Sequence, residues 1–353
     1  FSTTLLNGVL AFLLFAGALE VDLSEVLERK WTILALATLG TVLSTGIVAG
    51  ALFGLSMVVG LNIPFIWCLV FGALISPTDP VAVLAALKRA GIPRQLQATI
   101  AGESLFNDGI GIVLFSLMLS LATGDGASAA SVPMVAWDFL YEAVGGGLLG
   151  LALGYVAFLG FRQIEEHSVE LIVSLALVTG TYSVAGQIGV SGPVAVAVAG
   201  ILVGNQGMRL AMSERTREHL KAFWSMIDDT LNALLFLLIG LEIAAVELDG
   251  RNLAAMAIMI PVTLLVRWFS VAASSLPLNL RVPQRFGSLL VLTWGGLRGG
   301  LSVAMALALP ASEWKSSILT IAYGIVVFSI VVQGLTLERL ARRSLIPQAA
   351  PIP

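Results

Sequence analysis

The chain has 353 residues, 58% of them hydrophobic and only 12% charged, with a mean hydropathy of +0.96. A soluble domain carries about a quarter charged residues, so this composition excludes a soluble globular protein and defines a polytopic helical membrane protein. The net charge of −3 and the pI near 5.5 say little, because in a membrane the positions of charges matter more than their sum; no nucleic-acid partner is expected.

The start, FSTTLLNGVL, has no basic residue and no cleavage pattern, so no secretory signal is visible. Residue 1 is Phe and stands almost inside a hydrophobic run, so the sequence reads as a trimmed part of a longer chain. Apolar runs long enough to cross a bilayer predict eleven spans, at 4–21, 31–58, 62–87, 95–121, 133–160, 169–187, 190–208, 220–245, 252–277, 285–309 and 314–337. In the fifth span Gly146, Gly150 and Gly154 have the small-xxx-small spacing of a helix-packing face. A lone cysteine, Cys68, excludes a disulfide framework and a multi-cysteine metal site. Only His167 and His219 represent histidine, both placed in charged loop stretches, which argues against a histidine metal site; no resident cofactor is expected.

Basic residues fix the orientation. Of 19 Lys and Arg, only Arg251 and Lys315 fall in the even-numbered connections, and only Arg267 and Arg298 fall mid-span. The rest, Arg29, Arg162 and Arg281 among them, lie in the odd-numbered connections or after the last span. The positive-inside rule puts that set in the cytoplasm, with the visible N-terminus outside, the C-terminus inside, and the plasma (cytoplasmic/inner) membrane as the expected location.

An internal repeat is readable. LNGVLAFLLFAGALEVDL (6–23) resembles LNALLFLLIGLEIAAVEL (231–248), and at nearly the same offset ISPTDPVAVLAAL (75–87) falls opposite GGLRGGLSVAMAL (295–307). The first pair runs in opposite directions across the membrane, and the second pair is a pair of spans broken by Pro or Gly. Inverted repeats with paired broken helices mark secondary transporters, with the substrate site where the breaks lie.

Five ionisable residues fall near mid-membrane: Asp79, Glu103, Asp108, Arg267 and Arg298. A charge at the bilayer centre costs about 2.5–3.5 kcal/mol on insertion scales, so each needs a reason. Three acids against two bases leave a surplus of one negative charge, which suits one monovalent cation or one proton. In SPTDP, Pro77 and Pro80 remove two helix donors, freeing carbonyls near Ala73 and Ser76. Those carbonyls, the Thr78 hydroxyl and the Asp79 carboxylate are hard oxygen ligands. Ser104 and Asp108 share a helix face at i, i+4 spacing, and Glu103 and Asn107 form the adjacent stripe. A hydrogen-bond cluster between helices accounts for Ser104 and Asn107 equally well, and poorly for Asp108. Arg267 is expected to pair with Glu103, and Arg298 to offset the partial negative charge of a helix end in a Gly-rich break. Asp228 and Asp229 are expected at the cytoplasmic start of the eighth span, as a solvated helix N-terminus or, second to that, lining an entry funnel.

SPTDPVAVLAALK, GESLFNDG, an Arg in the antepenultimate helix and GGLRGGLS together resemble the sodium/proton antiporters of the electroneutral branch of the cation–proton antiporter superfamily, NhaP-type antiporters and sodium/hydrogen exchangers. The resemblance covers nearly the whole chain. It implies an all-α inverted-repeat antiporter fold with two crossed broken helices, thirteen spans of which eleven are visible, and a homodimer. It also implies a dimer-domain helix at 1–22, core-domain halves at 31–122 and 252–340, a linker helix at 133–160 and further dimer-domain helices at 169–246. Asp108 would carry the ion and the proton, with Asp79, Thr78 (largely through its carbonyl) and Ser104 as further metal ligands. Asn107 stands where the electrogenic branch has a second Asp, which implies one-for-one exchange of Na⁺ or Li⁺ for H⁺ by elevator-like alternating access. Glu103 with Arg267 would be the structural ion pair, and Arg298 the crossover arginine. One departure stands out: relatives with an acid in the first helix have it where this chain has Ala16 and Gly17 of FAGALE, with Glu20 further on.

Potassium exchange on the same fold is the nearest alternative, since one carboxylate cage does not reveal its diameter. A cation channel is disfavoured by paired broken helices. An intramembrane aspartyl protease built on Asp79 and Asp108 is disfavoured because the chain reads FNDGIG rather than a GxGD motif, so no enzymatic activity is expected.

Overall fold

The computed structural model describes residues 3–124, 132–164, 166–245, 249–275 and 285–345. Arg281 and the end of the second repeat, 246–248, lie outside them. Among the described residues all regular structure is helical. In chain order the helices are α1 (Thr3–Glu20), α2 (Leu23–Glu28), α3 (Lys30–Val59), α4 (Phe65–Ile75), α5 (Val81–Ala90), α6 (Arg94–Thr123), α7 (Val132–Phe161), α8 (His167–Ile188), α9 (Gly192–Leu210), α10 (Glu214–Ala245), α11 (Gly250–Ser275), α12 (Arg285–Trp294), α13 (Gly300–Leu307) and α14 (Lys315–Leu345). Seven described helices or helix runs (α3, most of α7 and α11, and all of α6, α8, α9 and α14) are long and apolar enough to cross a membrane. α3, α9 and α14 each contain one wider π turn, at Leu36–Gly40, Val203–Gly207 and Ser329–Gln333.

Local chemistry sets the ends. Asp22 caps α2: its carboxylate accepts from the Ser24 amide at 2.9 Å and the Ser24 hydroxyl at 2.5 Å. Those two bonds hold the Asp22 carboxyl below its ordinary range. α5 and α8 stop at Gly91 and Gly189, both left-handed at φ 69° and 71°, a geometry that glycine adopts without a Cβ penalty. Ser213 caps α10, accepting from the Thr216 amide at 3.3 Å. That cap starts α10 at Glu214, so Asp228 and Asp229 lie well inside a 32-residue helix and not at its start. His167 and His219 also sit in helices, their rings 5.0 Å apart, and not in loops.

The chain divides into two compact units. The first, Phe1–Leu27 and Asp108–Gly240, is organised around α9. Lipid is as apolar as a protein core, so helix contact in a membrane depends on close fit. Gly146 and Gly150 lie against the backbone of Ser191 and Ala195, and Gly154 against Ala199, leaving no room for a Cβ at Gly150; this is the packing role their spacing suggests. On another face, Gly200 and Gly204 receive Phe15, Ala18 and Leu19 of α1. Phe15, Leu19, Phe161, Val178, Val196 and Trp224 fill the core between them. Ala16 is part of that core, and Glu20 is exposed at the end of α1.

The second unit, Glu28–Asn107 and Leu241–Pro353, packs α3 on α4 and α11, α11 on α14, and α14 on α5 and α12. Gly72 of α4 lies on the Thr45 carbonyl of α3. Asn107 and Asp108 are successive residues of α6, and the division between the units falls between them.

Candidate functional site

Two helices of the second unit are interrupted. Residues 76–80 separate α4 from α5, and residues 295–299 separate α12 from α13. Pro77 and Pro80 force the first interruption by withholding two amides, and Gly295, Gly296 and Gly299 populate the second. The two interruptions touch. The Asp79 amide donates to the Leu297 carbonyl at 2.8 Å, and Arg298 Nη1 donates to the carbonyls of Ser76 and, at 2.9 Å, Pro77. The guanidinium thus sits on carbonyls at the C-terminal end of α4, where the helix dipole is negative. Reciprocally, the Asp79 carboxylate lies against Gly299, the N-cap of α13, with no room there for a Cβ.

The second interruption is held from behind by α14. Arg298 N–H donates to Ser329 Oγ at 2.8 Å, Gln333 Nε2 donates to the Trp294 carbonyl at 3.0 Å, and Trp294 Nε1 donates to Thr336 Oγ1 at 2.9 Å. Ser329 and Gln333 are the two ends of the π turn in α14 and are buried. Neither was singled out from sequence; the available signal was a pair of polar residues inside the apolar 314–337 run.

Thr78, Ser104 and Asn107 meet directly. Thr78 Oγ1 and Ser104 Oγ are 3.0 Å apart, Asn107 Nδ2 donates to Thr78 Oγ1 at 2.8 Å, and the Thr78 amide donates to Asn107 Oδ1 at 3.3 Å. Asn107 therefore takes over one backbone donor of the broken segment, and all three side chains are buried. Their oxygens have lone pairs beyond these bonds, as hydroxyls and amides do, so the cluster offers hard donors to a cation. Asp108 follows on α6, partly buried and one turn beyond Ser104.

Glu103 lies on the neighbouring stripe of α6. Its Oε1 accepts from Arg267 Nη1 of α11 at 2.5 Å, and Arg267 Nη2 reaches the Leu292 carbonyl at 3.3 Å. With side-chain exposures of 1% and 9%, the pair is desolvated, so each charge depends on the other. Gly296 lies beside the same guanidinium, and a Cβ there would meet it.

The family description "Sodium/hydrogen exchanger, transmembrane" matches residues 1–343. The Na⁺/H⁺ antiporter NhaP of Pseudomonas aeruginosa is 44% identical over 350 residues, 97% of this chain and 81% of that protein. The Na⁺/H⁺ antiporter NhaH of Halobacillus aidingensis is 35% identical over 346 residues, covering 97% and 83%. In fold, the sodium proton antiporter MjNhaP1 of Methanocaldococcus jannaschii superimposes with a TM-score of 0.76 at 21% identity, over 95% of this chain and 84% of that one. The fold is that of an integral membrane transporter. The chain belongs to the sodium/hydrogen exchanger family, in the antiporter branch of the cation–proton antiporter superfamily.

Proposed function

We propose that the protein exchanges Na⁺, or Li⁺, for H⁺ one for one across the plasma membrane, by elevator-like alternating access, as a homodimer with its C-terminus in the cytoplasm. In this reading the eleven spans count each interrupted pair, α4 with α5 and α12 with α13, as one crossed broken helix. The core domain is 31–122 with 252–340, the linker 133–160, and the dimer domain 1–22 with 169–246.

Asp108 carries either the cation or the proton. A carboxylate at this depth needs one or the other, because a bare charge is costly in the membrane. Competition for a single carboxylate is what couples the two fluxes. Thr78, Ser104 and Asp79 supply further oxygens to the metal ion. Asn107 is neutral in both states, so one carboxylate titrates per cycle and no net charge moves. Arg298 and the Glu103–Arg267 pair keep the interrupted helices in register, and neither contacts the ion.

The observation that supports this most is the hydrogen-bonded seam of Thr78, Ser104 and Asn107, which sets oxygen donors of the first interruption against the Asp108-bearing helix. The test is Na⁺-driven proton movement in proteoliposomes with Thr78→Val and Ser104→Ala. The reading expects Ser104→Ala to raise the half-saturating Na⁺ concentration by loss of a ligand, and Thr78→Val, which keeps the carbonyl, to raise it less, by loss of the hydroxyl that holds Ser104 and Asn107; Li⁺ and K⁺ in parallel give the selectivity order. Unchanged half-saturation in both variants would remove these side chains from the site.

A further inference from the structure

The first unit contains a cavity of about 190 Å³ that the transport site does not use. Its wall includes Ser116 of α6, Glu142 of α7, Tyr182 and Gly186 of α8, and Ser191 at the start of α9. Ile112 also lines it, one helical turn beyond Asp108 on α6. Between the cavity and Asp108 the two helices close up, with Gly109 packed on Val194 so tightly that a Cβ at Gly109 would meet the valine side chain at 2.9 Å.

Among the described residues Glu142 is the charged group of this wall, and no described Lys, Arg or His lines it. Exposed Trp137 and Tyr141 flank it on α7, and aromatic residues of this kind mark the membrane–water interface. Glu142 therefore sits just inside the interface, and Asp138, one turn earlier on α7, adds a second carboxyl on the same side of the helix. The first turn of α9 does not make the cavity an anion site. Pro193 has no N–H, the Ser191 amide donates to the Glu142 carbonyl at 3.0 Å, and the Val194 amide donates to Ser191 Oγ at 3.3 Å. What remains is a carboxylate with hydroxyl oxygens from Ser116, Tyr182 and Ser191, in a space large enough for a partly hydrated monovalent cation.

We propose that this cavity is an outer cation vestibule in which Glu142 concentrates monovalent metal ions ahead of Asp108. The inference rests on the transport reading above, which supplies both the ion and the outward direction of this end of α6. Glu142 is a positioning residue here: it raises the local cation concentration and takes no part in the exchange. A charged mouth with low-dielectric walls raises local counter-ion concentration by about tenfold or more.

The test labels a cysteine in the cavity from outside intact cells that express the full chain. Gly186→Cys suits it, because nothing lies within 4 Å of a Cβ at that position, and wild type, whose Cys68 is fully buried, is the background. The probes are a membrane-impermeant cationic thiosulfonate and its anionic counterpart, with rates normalised to a free thiol. The expected result is a cationic preference of about tenfold that external Na⁺ suppresses, that disappears with Glu142→Gln, and that survives Asp108→Asn. Equal rates for the two reagents, no labelling from outside, or a preference unaffected by Glu142→Gln would overturn the vestibule. Failure of the transport reading shows separately, as proton exchange that Asp108→Asn leaves unchanged.

Discussion

Arg267 and Glu103 meet at 2.5 Å with both side chains buried, joining α11 to α6 inside one compact unit. Removing one partner strands the other charge in a dry interior, a loss of about 3–5 kcal/mol. Glu103→Ala and Arg267→Ala should each lower the unfolding midpoint in detergent sharply. The double variant should fall less than the sum of the two, because no lone charge is left. Additive losses would mean that the two groups do not depend on each other.

Gly299 and Asp79 are the next relationship with a direct consequence. A methyl at Gly299 has nowhere to go except into the Asp79 carboxyl. Gly299→Ala should cut exchange by at least about tenfold, a loss of about 1.4 kcal/mol in the rate-limiting step, while the protein still elutes as a folded species. Gly46→Ala, where nothing lies within 4 Å of the added Cβ, should match wild type in the same flux assay.

Packing in the first unit separates two adjacent glycine types on α7. A Cβ at Gly150 overlaps the Ala195 backbone, and one at Gly147 meets nothing within 4 Å. Gly150→Ala should destabilise by about 1–3 kcal/mol, the range for overpacking. Gly147→Ala should be neutral or slightly stabilising, since alanine is the better helix former. Thermal unfolding of the two variants side by side checks the difference.

Asp22 gives a pH-dependent prediction outside the membrane. Its carboxyl lies below the ordinary range because Ser24 donates two hydrogen bonds to the ionised form. A depressed carboxyl contributes stability above its unfolded value of about 3.9, and that contribution is lost as pH falls through the folded value. Asp22→Ala should therefore cost about 1 kcal/mol at pH 7, and the gap to wild type should narrow below about pH 4. A gap of constant size down to pH 3 would contradict the capping role.

Much of this was legible in the sequence because membranes make polar residues conspicuous. SPTDP, GESLFND and GGLRGG stand out against apolar surroundings, and the Glu103–Arg267 pairing follows from the cost of a buried charge. Less legible was anything set by helix register. Asn205, in the π turn of α9, accepts from the Leu23 amide at 2.8 Å and donates to the Val21 carbonyl at 2.9 Å, clamping the turn after α1, yet in sequence it is one amide near the end of the 190–208 span with no sign of its partner. Gly200 and Gly204 carried the same small-residue spacing as α7, and the α1 contact that uses them spans most of the first unit's sequence. The start of α10 was misplaced because hydropathy marks where a helix enters the bilayer, and Ser213 starts the helix before that point.

The central claim is that cation and proton compete for the Asp108 carboxylate. Its most direct test is internal pH in proteoliposomes containing the full-length protein, with membrane potential clamped and Na⁺ added outside. The account predicts a Na⁺-driven pH change that is insensitive to the imposed potential and absent in Asp108→Asn. Equal exchange by wild type and Asp108→Asn, or a rate that follows the potential, would contradict it.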